Sequence, residues 1–442
     1  MEEVPKVGQK KPHVVFIPLP AQSHIKCMLK LARLLHHKGL LVTFINTQSN
    51  QKRLVTSGGT SWLDDAPGFQ FLTVPDGLAS TSDSIDEPLQ SMEQVARYLA
   101  DNFLDSFLDL VAGLNTPVTC IVSDGFMTFA KTRYAGEKLR VPIILHWTFA
   151  ACGFIGFYQA KVLMEKGVVP LKDESYLTNG YLDTLVDIPG MNGIRLRDLP
   201  EHILGVGPKA HALKFMLLLN QIRAKGSNNS NFSGYSLWKE EPECLQWLQS
   251  KEPNSVVYVN FGSLAVMSLQ DLVEFGWGLV NSNSYFLWII RDNLIDGKPA
   301  VLPPELEEVI KSKGFIATWC SQEEVLNHHS VGGFLTHGGW GSVIESLSAG
   351  VPMICCPFSG DQRTNCAQMC KEWEVGMEIG RNVKRDEVEK LVRELMDGVE
   401  GVKMRKKAIE CKKIADISTK PKGSSSIDIE ELVAEIRMIS RN

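Results

Sequence analysis

The chain alternates short β-branched runs with stretches of helical period, twice over, and few architectures accommodate that order. In the first series His13–Pro20 is an apolar run. Ile25, Met28, Leu29, Ala32 and Leu35 then fall on one helical face that Gly39 ends, and Leu40–Asn46 is β-branched again. The pattern returns as strands at Val118–Ser123 and Val141–His146 flanking a helix at Phe126–Lys138. A second series predicts strands at Ser255–Asn260, Phe286–Ile290, Gly314–Ala317, Val331–Leu335 and Pro352–Cys355, with helices at Leu269–Val280 and Ser342–Ser348. Strands separated by helices of this length pair in parallel, and the connecting helices cover both faces of the sheet. Between the two series, Lys225–Ser236 is mostly Gly, Ser and Asn, a composition that makes flexible connections. The expected fold class is therefore α/β, with two doubly wound, Rossmann-like domains over residues 1–225 and 237–424 and a linker at 226–236. The terminal stretch 425–442 is helical in spacing over Ser425–Ile439; its docking site is not legible in the sequence, and packing back on the first domain is one option.

At 442 residues, 44% hydrophobic and 22% charged, the chain has material for more than one core and is not a disordered polymer. A net charge of −5 argues against gripping nucleic acid or an anionic membrane, which needs concentrated basic surface. Pro18 and Pro20 break the first apolar run, and no run approaches the roughly 18 apolar residues of a membrane helix. The ten cysteines lack the paired spacing of zinc sites, as in a reducing compartment. The expectation is a cytoplasmic protein with no nucleic-acid partner and no stable membrane anchor.

Two places could carry chemistry. In Phe334–Gly350, FLTHGGWGSVIESLSAG, a strand runs through a glycine-rich turn into a helix, whose free N–H groups and dipole favour phosphate. His337 on that turn can donate to a phosphate oxygen, and Ser342 and Glu345 can meet a phosphate and a ribose. Ser-x-x-Glu is equally a capping box that needs no ligand. In the other half, His24 follows the first strand and Asp124 ends another, so a doubly wound sheet puts both at the carboxyl ends of strands, where ligands bind. A histidine there can take a proton, and a carboxylate on its other nitrogen fixes the tautomer. Taken singly, each is also an ordinary helix-start residue, Asp being a favoured N-cap.

These segments bring a family into view. Trp319–Gln362, WCSQEEVLNHHSVGGFLTHGGWGSVIESLSAGVPMICCPFSGDQ, resembles the signature box of the plant family 1 UDP-glycosyltransferases over 44 residues. PLPAQSHIKCMLKLARLL looks like that family's catalytic-histidine segment, and CIVSDGFMTFA, HWTFAACGF, KDESYL and SVVYVNFGS are similar as well. The likeness is greatest to the branch that glycosylates small terpenoid, iridoid, cyanogenic and phenolic alcohols.

The resemblance implies a GT-B fold, two Rossmann-like domains facing across a cleft, the first binding the acceptor and the second the nucleotide sugar. It implies Trp319 stacked on uracil, Gln322 beside base and ribose, Glu345 on the ribose hydroxyls, and His337 and Ser342 on the diphosphate. Trp340, Asp361 and Gln362 would meet the sugar, Ser263 the phosphates and Thr148 the sugar from the first domain. His24 would be the general base and Asp124 its partner, in an inverting transfer of glucose from UDP-glucose to a hydroxyl of a small lipophilic metabolite. UDP-glucose is the donor substrate and no metal or other cofactor is implied; a monomer is expected. Phe126, Met127, Phe149 and Phe154 are candidate acceptor-pocket residues, though aromatic and Met side chains at such positions are more often core.

The chain departs from the family pattern in several places. Where the family usually has His-Cys-Gly-Trp-Asn-Ser, this chain has His337-Gly338-Gly339-Trp340-Gly341-Ser342, and Gly341 cannot offer an amide to phosphate. Ser23 replaces a usual Gly and Lys26-Cys27 a usual Asn-Pro. The path from Gln221 to Tyr235 is several tens of residues shorter than the family's. These departures make a catalytically impaired binding relative one alternative; C-glycosylation of an activated phenol is another. A dinucleotide-dependent oxidoreductase would share the strand–helix pattern, but AQSH follows IPLP where a Gly-x-Gly-x-x-Gly turn is needed.

Overall fold

The computed structural model describes residues 11–58, 60, 66–75, 103–127, 135–200, 203–204, 236–292, 294–295, 301–380 and 382–441. They form two compact units. The first gathers the described residues of Met1–Thr148, Ala224–Trp238 and Ser418–Asn442, the second those of Phe149–Arg223 and Lys239–Ile417.

The first unit is built on five parallel strands, β1 (His13–Ile17), β2 (Leu41–Thr47), β3 (Phe69–Val74), β4 (Cys120–Asp124) and β5 (Ile143–His146), in the order β3-β2-β1-β4-β5. The chain steps outward from β1 to β3 and then returns to lay β4 against the other side of β1. Strand order thus reverses between β1 and β4, the place where a doubly wound sheet opens a crevice. Every residue of β1 and β4 is buried, as expected of central parallel strands covered on both faces. The helix Gln22–His37 lays Ile25, Met28, Leu29, Ala32 and Leu35 on this sheet, none more than 1% exposed. Each of the larger side chains contributes roughly 1.5–3 kcal/mol by leaving water. The terminal helix Ser424–Ile439 adds Ile429, Val433 and Ile436 to the same apolar cluster. Its Glu430 accepts from Lys38 Nζ, and Arg437 Nη2 donates to Lys38 O at 2.9 Å.

The second unit holds six parallel strands, β6 (Val256–Asn260), β7 (Tyr285–Ile289), β8 (Gly314–Ala317), β9 (Val331–Thr336), β10 (Met353–Cys355) and β11 (Gly376–Glu378), in the order β11-β10-β9-β6-β7-β8. Here the reversal falls between β6 and β9. Alternate residues of β6 face opposite ways: Val257 and Val259 join one apolar cluster, Val256 and Tyr258 the other.

Some boundaries differ from expectation. The helix expected at Ser342–Ser348 runs over Trp340–Ala349, because Gly339, in extended conformation, is its N-cap. Of the helix expected at Phe126–Lys138, residues 128–134 lie outside the described residues, and Phe126 and Met127 form a turn after β4. The expected linker also lies outside them, save Ser236. Leu237 follows it into the first unit's core, its N–H donating to Gln22 Oε1 at 2.8 Å.

Candidate active site

In the first unit, the reversal between β1 and β4 brings together two residues a hundred positions apart in sequence. His24 sits on the first turn of the helix after β1, and Asp124 is the last residue of β4. Asp124 Oδ2 lies 2.7 Å from His24 Nδ1; the carboxylate is fully buried and the imidazole 18% exposed. An ionised carboxylate only accepts, so Nδ1 carries the hydrogen and Nε2 keeps its lone pair. Asp124 Oδ1 accepts from the Phe126 N–H at 2.9 Å, which fixes the carboxylate's rotation. Thr148 Oγ1 lies 2.7 Å from His24 Nδ1, a second acceptor for that hydrogen whose own hydroxyl proton is left for another partner. The contact places Thr148 on the imidazole, a role its sequence did not suggest.

Phe126 stands edge-on to His24, ring centroids 5.6 Å apart, and edge-on to Trp147 at 5.9 Å. Met127, at 1% exposure, belongs to the unit's apolar cluster, the core reading its sequence left open. His146, paired with Asp124 across β4 and β5, has Nε2 3.4 Å from Cys27 Sγ. Burial pushes its imidazole below the ordinary histidine range; Asp124 pulls it upward and His24 pushes it further down. Phe149 and Phe154 group with the second unit, where Phe149 is edge-on to Phe157 at 5.5 Å and Phe154 stacks on Tyr158 at 6.0 Å.

In the second unit, the turns after β6 and β9 meet at the reversal. Gly262, at φ +74°, and Gly338, at φ +75°, hold conformations that side-chain-bearing residues rarely adopt. A Cβ at Gly262 would also come within 2.5 Å of His337 Nε2, and one at Gly338 within 2.4 Å of Cys355 Sγ. The helix Trp340–Ala349 makes its first internal bond from Val343 N to Gly339 O, leaving the N–H groups of Trp340, Gly341 and Ser342 at its open end. Ser342 and Glu345 do not form the capping box their spacing allowed, since Gly339 is the N-cap and no side chain caps the helix. Instead Gln322 bridges them, Nε2 donating to Ser342 Oγ at 3.0 Å and to Glu345 Oε2 at 2.8 Å.

Trp319 and Trp340 are half-buried against one apolar cluster, with Trp340's ring 6.3 Å from that of Trp373. The backbone N–H of Trp340 also lies at the open end of the helix. Ser263, half-buried, follows Gly262. Gln362 Oε1 accepts from the N–H groups of Phe358 and Ser359 at 2.8 and 2.9 Å, closing that turn and leaving its amide N–H groups to other partners. Asn365 Nδ2 donates to Asp361 Oδ2 at 2.9 Å and to Gly338 O at 3.0 Å, tying Asp361 to the glycine turn.

Burial pushes the His337 imidazole down to about 4, the nearby Arg291 guanidinium acting in the same direction and a hydrogen bond to the Asn260 backbone in the other. Arg291 is itself buried and donates to Ala265 O. Between pH 6.5 and about 4 the unfolded chain binds a proton that the folded chain refuses, so stability falls as pH drops through that window, by roughly 3 kcal/mol in all. His337→Gln is expected to flatten this part of the acid limb in a plot of Tm against pH. A limb unchanged from the wild type would show that the imidazole titrates normally.

Residues 237–409, most of them in this second unit, fit the family model described as UDP-glucoronosyl and UDP-glucosyl transferase. The whole chain is 62% identical to UDP-glycosyltransferase 85C1 of Stevia rebaudiana, the alignment covering 100% of both. The chain belongs to the UDP-glycosyltransferase family. Another relative, 7-deoxyloganetin glucosyltransferase of Catharanthus roseus, is 45% identical over 97% of each chain. Among solved structures, Os79 from O. sativa in complex with UDP matches 96% of this chain and 100% of its own, with a TM-score of 0.79 at 23% identity. At that identity the likeness speaks for the fold, which is GT-B. Membership also sets aside the oxidoreductase reading. The alignment with the Stevia relative spans 486 positions against 442 residues here, so about 44 positions have no counterpart in this UDP-glycosyltransferase. The shortfall anticipated between Gln221 and Tyr235 falls outside the described residues.

Among the described residues, no helix is long and apolar enough to cross a membrane, and no group of three or more His, Cys, Asp or Glu is placed to hold a metal ion.

Proposed function

We propose that this UDP-glycosyltransferase transfers glucose from UDP-glucose to a hydroxyl of a small lipophilic alcohol, with inversion, and that His24 is its general base. The observation that carries the reading is the His24 Nδ1–Asp124 Oδ2 contact of 2.7 Å, at the strand reversal of the first unit. With Nδ1–H held by Asp124, Nε2 accepts the proton of the acceptor hydroxyl as its oxygen attacks the anomeric carbon. The bond from that carbon to the β-phosphate oxygen breaks, its electron pair leaves with UDP, and a single displacement inverts the centre. Asp124 stabilises the imidazolium formed.

The donor half of the reading assigns the diphosphate to the open N–H groups of Trp340, Gly341 and Ser342, with His337 and Ser263 beside them. A helix start favours the negative charge that grows on the leaving group. Glu345 takes the ribose hydroxyls, Trp319 the uracil, and Asp361 and Gln362 the sugar. The acceptor class follows the names of the relatives, one of which glucosylates 7-deoxyloganetin, and Phe126 supplies an apolar edge at His24. The test is mass spectrometry of a mixed library of lipophilic alcohols and phenols incubated with UDP-glucose. A gain of one hexose on alcohols, released by a β-glucosidase, supports the reading. Products that resist that enzyme would instead favour C-glycosylation, and UDP binding without turnover an impaired relative.

Gly341 offers a further check. It is exposed, and a Cβ there would meet nothing within 4 Å, so a longer side chain fits without rearrangement. A hydrogen bond to a charged phosphate is worth about 1.5–3 kcal/mol, so Gly341→Asn is expected to tighten UDP binding by about 10-fold or more in titration calorimetry. An unchanged Kd would show that the missing amide does not limit donor affinity.

A further inference from the structure

Asn260 closes β6, the central strand beside the reversal, and is 5% exposed. All of its side-chain hydrogen-bonding groups are in use. Nδ2 donates to Tyr258 OH at 2.8 Å and to Gln322 Oε1 at 3.0 Å, and Oδ1 accepts from the Gly262 N–H at 2.9 Å. Its backbone also receives the His337 ring. We propose that Asn260 is the positioning residue of the donor half-site, holding Gln322 through its amide N–H groups and the Gly262 turn through its amide oxygen. The proposal rests on the donor-site reading given above and assigns Asn260 no contact with the nucleotide.

The direction of the hydrogen bonds makes the argument. Gly262 N–H can only donate, so the amide oxygen of Asn260 must face it, and both N–H groups must then face Tyr258 and Gln322. Because Asn260 donates, Gln322 must offer its oxygen there and its nitrogen to Ser342 and Glu345. That is the only orientation in which Gln322 steadies the Glu345 carboxylate rather than opposing it. One buried amide therefore fixes, before any ligand arrives, the polarity of a chain of groups that ends at the candidate phosphate and ribose contacts. Tyr258 OH, 3.3 Å from Gln322 Oε1 and buried, completes the support. Burial holds its phenol neutral, well above the ordinary tyrosine range.

An aspartate has nearly the shape of asparagine and keeps an acceptor for Gly262, but it loses both donors. In Asn260→Asp, Gln322 must turn its nitrogen toward the new carboxylate and its oxygen toward Glu345. The damage then appears at Glu345, which Asn260 never touches. The full-length protein is titrated with UDP and assayed with UDP-glucose as wild type, Asn260→Asp, Tyr258→Phe, Gln322→Ala and the Asn260→Asp/Gln322→Ala double variant.

Asn260→Asp is expected to raise both the UDP Kd and the UDP-glucose KM about 10-fold, while kcat at saturating donor and the acceptor KM stay within about 2-fold. Tyr258→Phe, which removes one hydroxyl and keeps the ring packing, is expected to move the same constants about 3-fold and carries the test if the aspartate variant does not fold. The double variant should bind UDP no more weakly than Gln322→Ala alone, because Asn260 acts through Gln322. Wild-type UDP affinity in Asn260→Asp, or effects that multiply in the double variant, would overturn the proposal alone. A wild-type protein that does not bind UDP would overturn the donor-site reading and this proposal together.

Discussion

His24→Ala is expected to lower kcat for glucosyl transfer about 1,000-fold, the middle of the range for losing a general base, while UDP Kd stays within about 2-fold of the wild type. The two halves of this expectation come from different parts of the chain. The proton acceptor belongs to the first unit, whereas Trp319, His337, Ser342 and Glu345 belong to the second. An alcohol is a poor nucleophile until its proton leaves, and in the alanine variant no imidazole remains to take it. Retained UDP binding, with a Tm near that of the wild type to show that the first unit is folded, would place the loss in the chemical step. Undiminished turnover would refute the assignment of the base. A loss of UDP affinity matching the loss of rate would instead make His24 a donor-binding residue.

The fold was legible in the sequence wherever strands were continuous apolar runs. Val256–Asn260 is such a run, rich in valine, because a central parallel strand is covered on both faces. Phe69–Val74, FQFLTV, escaped notice because its Gln and Thr interrupt the apolar run, and Gly376–Glu378 is too short to show a period. His24 and Asp124 could be placed at strand ends from spacing alone, but their contact depends on strand order, which no local pattern encodes. The same holds for Gln322, which reaches Ser342 and Glu345 only because the strand reversal brings their segments together. Ser342 and Glu345 show the converse failure. Their spacing fits a capping box, yet Gly339, three residues before Ser342, is the N-cap, and Gln322 bridges the two side chains instead. Asn260 left one faint mark in the sequence, as a polar residue closing an otherwise apolar strand.

Asp124→Asn tests the other half of the pair and should cost about 100- to 1,000-fold in kcat, although it only exchanges one carboxylate oxygen for an amide NH2 of nearly the same shape. The reason is the Phe126 N–H, which donates to Asp124 Oδ1 and leaves Oδ2 facing His24. An asparagine must keep its oxygen on that N–H, because an amide nitrogen there would set donor against donor. Its nitrogen then points at His24 Nδ1, which must become the acceptor, and the imidazole proton moves to Nε2. The ring stays in place, but the atom that should take a proton already carries one. Imidazole nitrogen NMR would read this directly as an exchange of the protonated and unprotonated positions of His24, with UDP affinity unchanged. A variant within about 10-fold of wild-type kcat would show that Asp124 only anchors the turn after β4 and does not set the state of the base.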